Sequence, residues 1–192
     1  METKKVEVDL SSAYRLLHPQ LTVLVSCVDR AGKANIITLA WAMPVSASPP
    51  LLVVSIALRR HSHRLIMETK EFVVNIPTME FVKETLFCGR RSGRKYDKFK
   101  EMGFTPSPAK MVRAPIIKEC VAHLECKVHR RITAGDHSLF VGEILTAYAN
   151  EGSFKRKKYD IKTVKPVYHL GANYFATLAP KVVRPRLPSQ NR

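Results

Sequence analysis

Apolar residues along this chain come in short blocks, and most of the blocks have the length of a strand. Residues 21–28 are β-forming throughout, Asp29-Arg30-Ala31-Gly32 has the composition of a turn, and residues 34–41 return as a second apolar run. That pattern predicts an antiparallel hairpin. Residues 51–58 are apolar almost without a break, which predicts a strand buried on both faces. Residues 71–76 read as a further strand, stopped by Pro77. Over 119–129, Cys120, Ala122, Leu124 and Cys126 fall on one face and Val121, His123, Glu125 and Lys127 on the other. Gly135-Asp136 supplies a turn, residues 138–149 a long strand, and 167–170 a last short one. Residues 43–50 hold Pro44, Pro49 and Pro50, and the missing N–H donors predict a loop.

Helical periodicity is sparse. Tyr14, Leu16 and Leu17 form a brief lead-in closed by Pro19. Ser62 reads as the N-cap of a short helix over 63–69, because its hydroxyl can accept from a free backbone N–H. Met79, Val82, Leu86 and Phe87 mark one side of an amphipathic helix over 79–88. Residues 90–100 form a basic turn followed by a short helix, 105–114 a loop, and 152–165 a polar, basic surface loop. About seven strands with short connections and few helices predict a mainly β protein. The expected architecture is a closed or half-closed antiparallel barrel with Greek-key-like connections. Residues 1–180 are expected to form one domain, and 181–192 a basic tail that is an arm or disordered.

With 192 residues, 45% of them apolar, the chain can bury a sizeable core. No apolar run approaches the ~20 residues that span a bilayer. The start, M-E-T-K-K-V-E-V, is charged and lacks a secretory apolar region, so a cytoplasmic location is expected, with no membrane partner. Cys27, Cys88, Cys120 and Cys126 lack CxxC spacing. On a strand, Cys120 and Cys126 would share a face but lie roughly 20 Å apart, too far for a disulfide or a shared metal. Reduced, buried thiols are expected, and no metal, since the histidines show no ligand spacing with a carboxylate.

The net charge of +16 is uneven: residues 1–80 carry nine basic and seven acidic side chains, residues 81–192 carry 23 and nine. Such a bias fits either nucleic acid or a solvated surface around an anionic ligand. A nucleic-acid-binding barrel interleaves aromatic with basic residues on one sheet face. Here the basic clusters lie in predicted loops with few aromatics, so nucleic acid is the remote reading. GxGxxG, Walker A and G-x-S-x-G motifs are absent from the sequence.

Two stretches between 32 and 76 carry candidate chemistry. Ala42, Met43, Pro44, Val45 and Ser46 lie in the proline-rich segment, where unpaired backbone groups are open to a flat polar ring; the plainer reading is a loop that holds the barrel closed. Arg59, Arg60, His61 and Ser62 precede a helix, whose free N–H groups favour a phosphate; the plainer reading is an ordinary cap with surface arginines. Trp41 can stack on a ring or fill the core. Asn35 can hydrogen-bond within the hairpin or toward the ring, and the hairpin reading is preferred.

In order, the sequence shows G-K-A-N, A-W-x-x-P-V-S-x-x-P-P, R-R-H-S-H-x-L-I, E-F-V-V-N-I-P, Y-D-K-F, E-C-x-A-x-L-E-C and G-D-H-S-L-F-V-G-E. This series, spread over about residues 15–175, resembles the flavin reductase-like, FMN-binding split-barrel family, in its flavoredoxin branch. The resemblance implies a split β-barrel, a homodimer and non-covalent FMN. It implies that residues 41–46 face the flavin ring, that Arg60, His61 and Ser62 hold the phosphate, and that Lys98 of Y-D-K-F contacts the flavin. His137 would contact the flavin or its redox partner, or else simply bond to its turn. The family often has Thr where Ser62 stands, which keeps the hydroxyl. Its last flavin contact falls near residues 167–170, behind the basic insert. The implied function is electron carriage by FMN. The alternative is an NAD(P)H-dependent flavin or ferric reductase, and no residue isolates itself as a catalytic acid or base.

Overall fold

The structure, a computed structural model, describes residues 3–185. After a 3-10 helix at Ala13–Leu17 come β1 (Gln20–Leu21), β2 (Val23–Val28), β3 (Ala34–Leu39), β4 (Ala42–Ala47) and β5 (Pro50–Ala57). Then follow α1 (His61–Thr69), β6 (Glu71–Ile76), a 3-10 turn at Met79–Phe81, α2 (Val82–Arg90) and α3 (Lys98–Met102). The remainder is β7 (Pro106–Ser107), β8 (Ile116–Ile117), β9 (Ala122–Ala134), β10 (His137–Ala149), β11 (Phe154–Lys155), β12 (Lys158–Tyr159), β13 (Tyr168–Gly171) and β14 (Tyr174–Ala176).

Seven strands make one antiparallel sheet in the order β3-β2-β6-β9-β10-β5-β4. Its two edge strands, β3 and β4, are joined only by Ala40 and Trp41. Edges so closely tied must lie side by side, so the sheet rolls into a barrel. The β4–β5 ladder runs one step further, with Ser55 N–H donating to the Trp41 carbonyl at 2.9 Å, but among the described residues no ladder joins β3 to β4. That seam stays open, and the result is a split barrel.

Inside the barrel, Val23, Val25, Ile37, Leu39, Val54, Ile56, Phe72 and Phe140 pack with Leu65 and Ile66 of α1. Outside β2 and β3, Leu24 and Ile36 pack under Cys88, Phe99, Phe104 and Ile117. All six residues of β2 are therefore buried. The polar face of β9 is buried as well. His123 Nδ1 lies 2.9 Å from Asn75 Oδ1, which also accepts from Ile117 N–H. Glu125 accepts from the N–H groups of Lys110 and Met111 and from the Tyr148 hydroxyl. Burial alone would raise the Glu125 pKa, but these donors outweigh it and hold the carboxyl below its usual range. All four cysteines are free and buried.

Four expectations need correction. Residues 42–47 are an edge strand, not a loop: β4 pairs with β5 through a bulge between Pro44 and Ser46. A proline is tolerated where its missing N–H faces away from the only neighbour. Helix α1 starts at His61, its N-cap is Arg60, and no side chain caps it. Ser62 is inside the first turn, because its oxygen is taken by Asn35. In α2 the buried side chains are Thr85 and Cys88, not Leu86 and Phe87, since Leu86 faces an open hollow at the rim. Residues 105–114 are not all loop: β7 pairs with β8. The basic segment 152–165 carries the small hairpin β11–β12, turning at Arg156 and Lys157 with positive φ. Residues 181–185 have no helix or strand, and the rest of the expected tail lies outside the described residues. No helix among the described residues is long and apolar enough to cross a membrane.

Candidate functional site

The open seam forms a groove along β3 with two adjoining compartments that share Ile37, Arg59 and Arg60. Their volumes of about 250 and 220 Å³ together exceed the ~300 Å³ lower bound of small-molecule sites.

The inner compartment is cationic. The β5–α1 turn and the first residues of α1 bring Arg59, Arg60, His61 and Ser62; the loop after α2 brings Gly93 and Arg94; α3 brings Lys98. Lys98 is only 4% exposed, yet has no carboxylate partner among the described residues. Its ammonium donates to the carbonyls of Ile36 at 2.7 Å and Cys88 at 2.6 Å, which leaves one hydrogen of three uncommitted. Burial, with a smaller push from Arg60, lowers its pKa to about 8. Asn35 Nδ2 donates to Ser62 Oγ at 2.7 Å, so the serine's own proton is free to point elsewhere. His61 Nδ1 is buried without a hydrogen-bond partner. Burial first, then Arg64, Arg94 and Lys98, lower the His61 pKa, so the ring is neutral. The loop presses close: a Cβ at Gly93 would stand 1.9 Å from Asn35 Oδ1. Only glycine fits there. Cys88 lines this compartment and Cys27 is buried near Asn35, both with thiols pushed up to about 12 by burial, so neither supplies a thiolate.

The outer compartment is half apolar. Trp41 and His137 stand against each other with ring centroids 4.9 Å apart, and Tyr14 meets Trp41 edge-on at 5.5 Å. Trp41 is 41% exposed and does not fill the core. His137 Nδ1 lies 2.6 Å from Asp136 Oδ1 in the β9–β10 turn, which leaves Nε2 for other contacts. Along one wall runs the free edge of β3. Lys98 reaches the Ile36 carbonyl there, so by the alternation of an antiparallel ladder the N–H and C=O groups of Thr38 and Ala40 point the same way.

The groove thus unites Trp41, Arg60 and His137 in one compartment, and Arg60, His61, Ser62 and Lys98 in the next. Ala42 and Met43 line a separate apolar hollow on the other side of Trp41 and His137. Pro44, Val45 and Ser46 continue along the edge strand and line neither compartment. Sequence reasoning missed Asn35 as a site residue, and missed Thr38, Ala40, Gly93 and Arg94. The one legible signal for the last pair is a glycine among cations, R-R-S-G-R-K, just before a helix.

The compartments fit FMN on the residues alone. An uncommitted buried ammonium, a serine hydroxyl with its proton free and an orphaned imidazole nitrogen suit a phosphate. The open strand edge beside two aromatic rings suits a flat ring edged with donors and acceptors.

The flavin reductase-like domain model matches residues 14–176. A protein of Archaeoglobus fulgidus is 43% identical over 145 residues, 76% of this chain and 80% of that one. Among solved structures, the flavoredoxin of Methanosarcina acetivorans superposes with a TM-score of 0.86 at 30% identity, covering 98% of both chains. The flavoredoxin of Desulfovibrio vulgaris (Miyazaki F) superposes with a TM-score of 0.83 at 28% identity, covering 95% of this chain and 97% of that one. The chain therefore belongs to the flavin reductase-like family and has its FMN-binding split-barrel fold.

Proposed function

We propose that the chain binds FMN in the groove and works as an electron carrier of the flavoredoxin kind. The phosphate sits in the inner compartment and the ring lies along β3 between Trp41 and Thr38. Bound there, FMN supplies the redox chemistry, and the chain supplies position and electrostatics. The observation that carries this reading is Lys98: a buried, unpaired ammonium one hydrogen bond short, beside the Asn35–Ser62 pair. Ser62 and Lys98 donate to the phosphate, Arg60 adds charge, and Gly93 closes the seat. The Thr38 and Ala40 backbone groups bond to the ring's polar edge, and His137 flanks it.

The test is a titration of FMN and riboflavin into wild type and Ser62→Ala. Wild type is expected to prefer FMN. Removing one charge-assisted hydrogen bond, worth roughly 1.5–3 kcal/mol, weakens FMN about 10–100-fold and leaves riboflavin nearly unchanged. Equal losses for the two ligands would place the phosphate elsewhere; no visible flavin band after gel filtration would refute the reading. Steady-state oxidation of NADH or NADPH with added FMN separates a carrier from a reductase.

The chain acts as a homodimer with the flavin near the interface. Met43 and Val45 on the edge strand β4 are exposed, as are Leu16 and Leu17 on the lead-in helix. An unpaired edge flanked by apolar side chains calls for a cover, which a second copy provides. Light scattering at micromolar concentration should give twice the monomer mass; a monomer mass rejects the dimer.

A further inference from the structure

Thr38 and Ala40 line a third hollow as well, of about 470 Å³, on the α2 side of β3. Its lining includes Arg15, Arg60, Arg90 and His169, and no carboxylate. Among the described residues none of the three arginines forms a salt bridge. Arg90 is nevertheless fixed. Its Nε donates to Asn173 Oδ1 at 3.0 Å and its Nη2 to the Ala172 carbonyl at 2.6 Å, so the β13–β14 turn orients the guanidinium and leaves Nη1 uncommitted. Arg15 lies against the same turn: a Cβ at Gly171, where φ is +128°, would stand 2.7 Å from its Nη1. At the floor, the hydroxyls of Thr22 and Thr85, residues 1% and 0% exposed, have no hydrogen-bond partner. Buried hydroxyls are ordinarily satisfied, so two orphans in one hollow point to a partner that arrives with a ligand.

We propose that this hollow is a subsite for the anionic head group, carboxylate or phosphate, of a small organic molecule bound beside the flavin. The oriented guanidinium of Arg90 and the neighbouring one of Arg15 offer the forked donors that such oxygens take, and the two threonines offer hydroxyls beneath them. The inference rests on the flavin reading, because the hollow opens into the ring's compartment: Arg15, Thr38, Ala40, Arg60 and His169 line both. The molecule is thereby an organic anion, and neutral analogues of the same shape are poor ligands.

The test uses the FMN-loaded protein and three probes of one shape: benzoate, phenyl phosphate and neutral benzamide. Binding is read from the change in the flavin absorption spectrum and from thermal upshift. At least one anion is expected to bind tenfold or more tighter than benzamide, and which one does so tells carboxylate from phosphate. The preference should fall below threefold in Arg15→Gln and in Arg90→Gln, and should largely survive in Arg15→Lys, which keeps the charge. Equal binding of all three probes, or a preference unchanged in both glutamine variants, overturns the inference while the flavin reading stands. A protein that takes up no FMN at the loading step takes down both.

Discussion

Lys98 makes the flavin-free protein's stability depend on pH in a direction opposite to the usual alkaline loss. Its ammonium has a pKa near 8 in the fold, against 10.5 when unfolded, because burial penalises the charge. Between those two values the unfolded chain binds a proton that the fold does not, so this group's contribution rises with pH from 8 to 10.5. Below 8 the fold carries the whole cost, about 3 kcal/mol for a shift of this size. From pH 7 to 10 wild type should therefore recover some 2–3 kcal/mol relative to Lys98→Met, or about 5–10 °C in melting temperature for a chain of this length. Thermal melts of the two flavin-free proteins across that range isolate the effect, because the buried thiols are common to both. Bound FMN should reverse the preference. Its phosphate favours the charged amine, so FMN affinity should fall towards tenfold per pH unit above 8 in wild type and stay flat in Lys98→Met, as should riboflavin affinity in both. Parallel stability curves would refute the buried charge, and parallel affinity curves would remove Lys98 from the phosphate seat.

Gly93→Ala should drive a methyl into the Asn35 amide and undo its bond to Ser62; FMN affinity should fall about 10–100-fold with riboflavin much less affected, measured by fluorescence titration. Glu125→Gln replaces a carboxylate oxygen with a donor facing donors, so the melting temperature should fall by about 5–10 °C while the FMN-to-riboflavin ratio is unchanged. The same variant should lose less stability than wild type as pH falls through the range where the depressed Glu125 carboxyl takes up its proton.

The barrel was legible because its strands declare themselves one at a time. The β2–β3 hairpin has its turn residues between two apolar runs, and β5 is an apolar run most of which is buried. β4 was not legible, since three prolines in eight residues argue against a strand and only its place at the sheet edge reverses that argument. Arg60, His61 and Ser62 could be found together because they are contiguous. Ser62 was still given the wrong local role, because a hydroxyl before an apolar run looks like a cap until a partner 27 residues away is seen to claim it. The packing of Gly93 against Asn35 carries no sequence signal, because it is defined only by the contact of residues 58 positions apart.

Backbone groups free for a ligand were expected in the proline-rich segment; in the structure that segment pairs as β4, and the open backbone edge is that of β3. Prolines did not expose them; topology did. β3 and β4 are the two ends of one sheet, joined only by Ala40 and Trp41, and among the described residues no ladder pairs them with each other. An open edge is a liability that folds normally cover. Here the cover is partial: α2 packs over Thr38, whose hydroxyl donates to the Thr85 carbonyl, and Lys98 of α3 takes the Ile36 carbonyl. The backbone of Thr38 and Ala40 is left as the uncovered part, between a cationic compartment and two aromatic rings. The groove therefore lies where the barrel leaves its own hydrogen bonding unfinished. Any substitution that let β3 pair along its edge should both stabilise the protein and abolish flavin uptake, and melts run beside FMN titrations would show the two effects rising together.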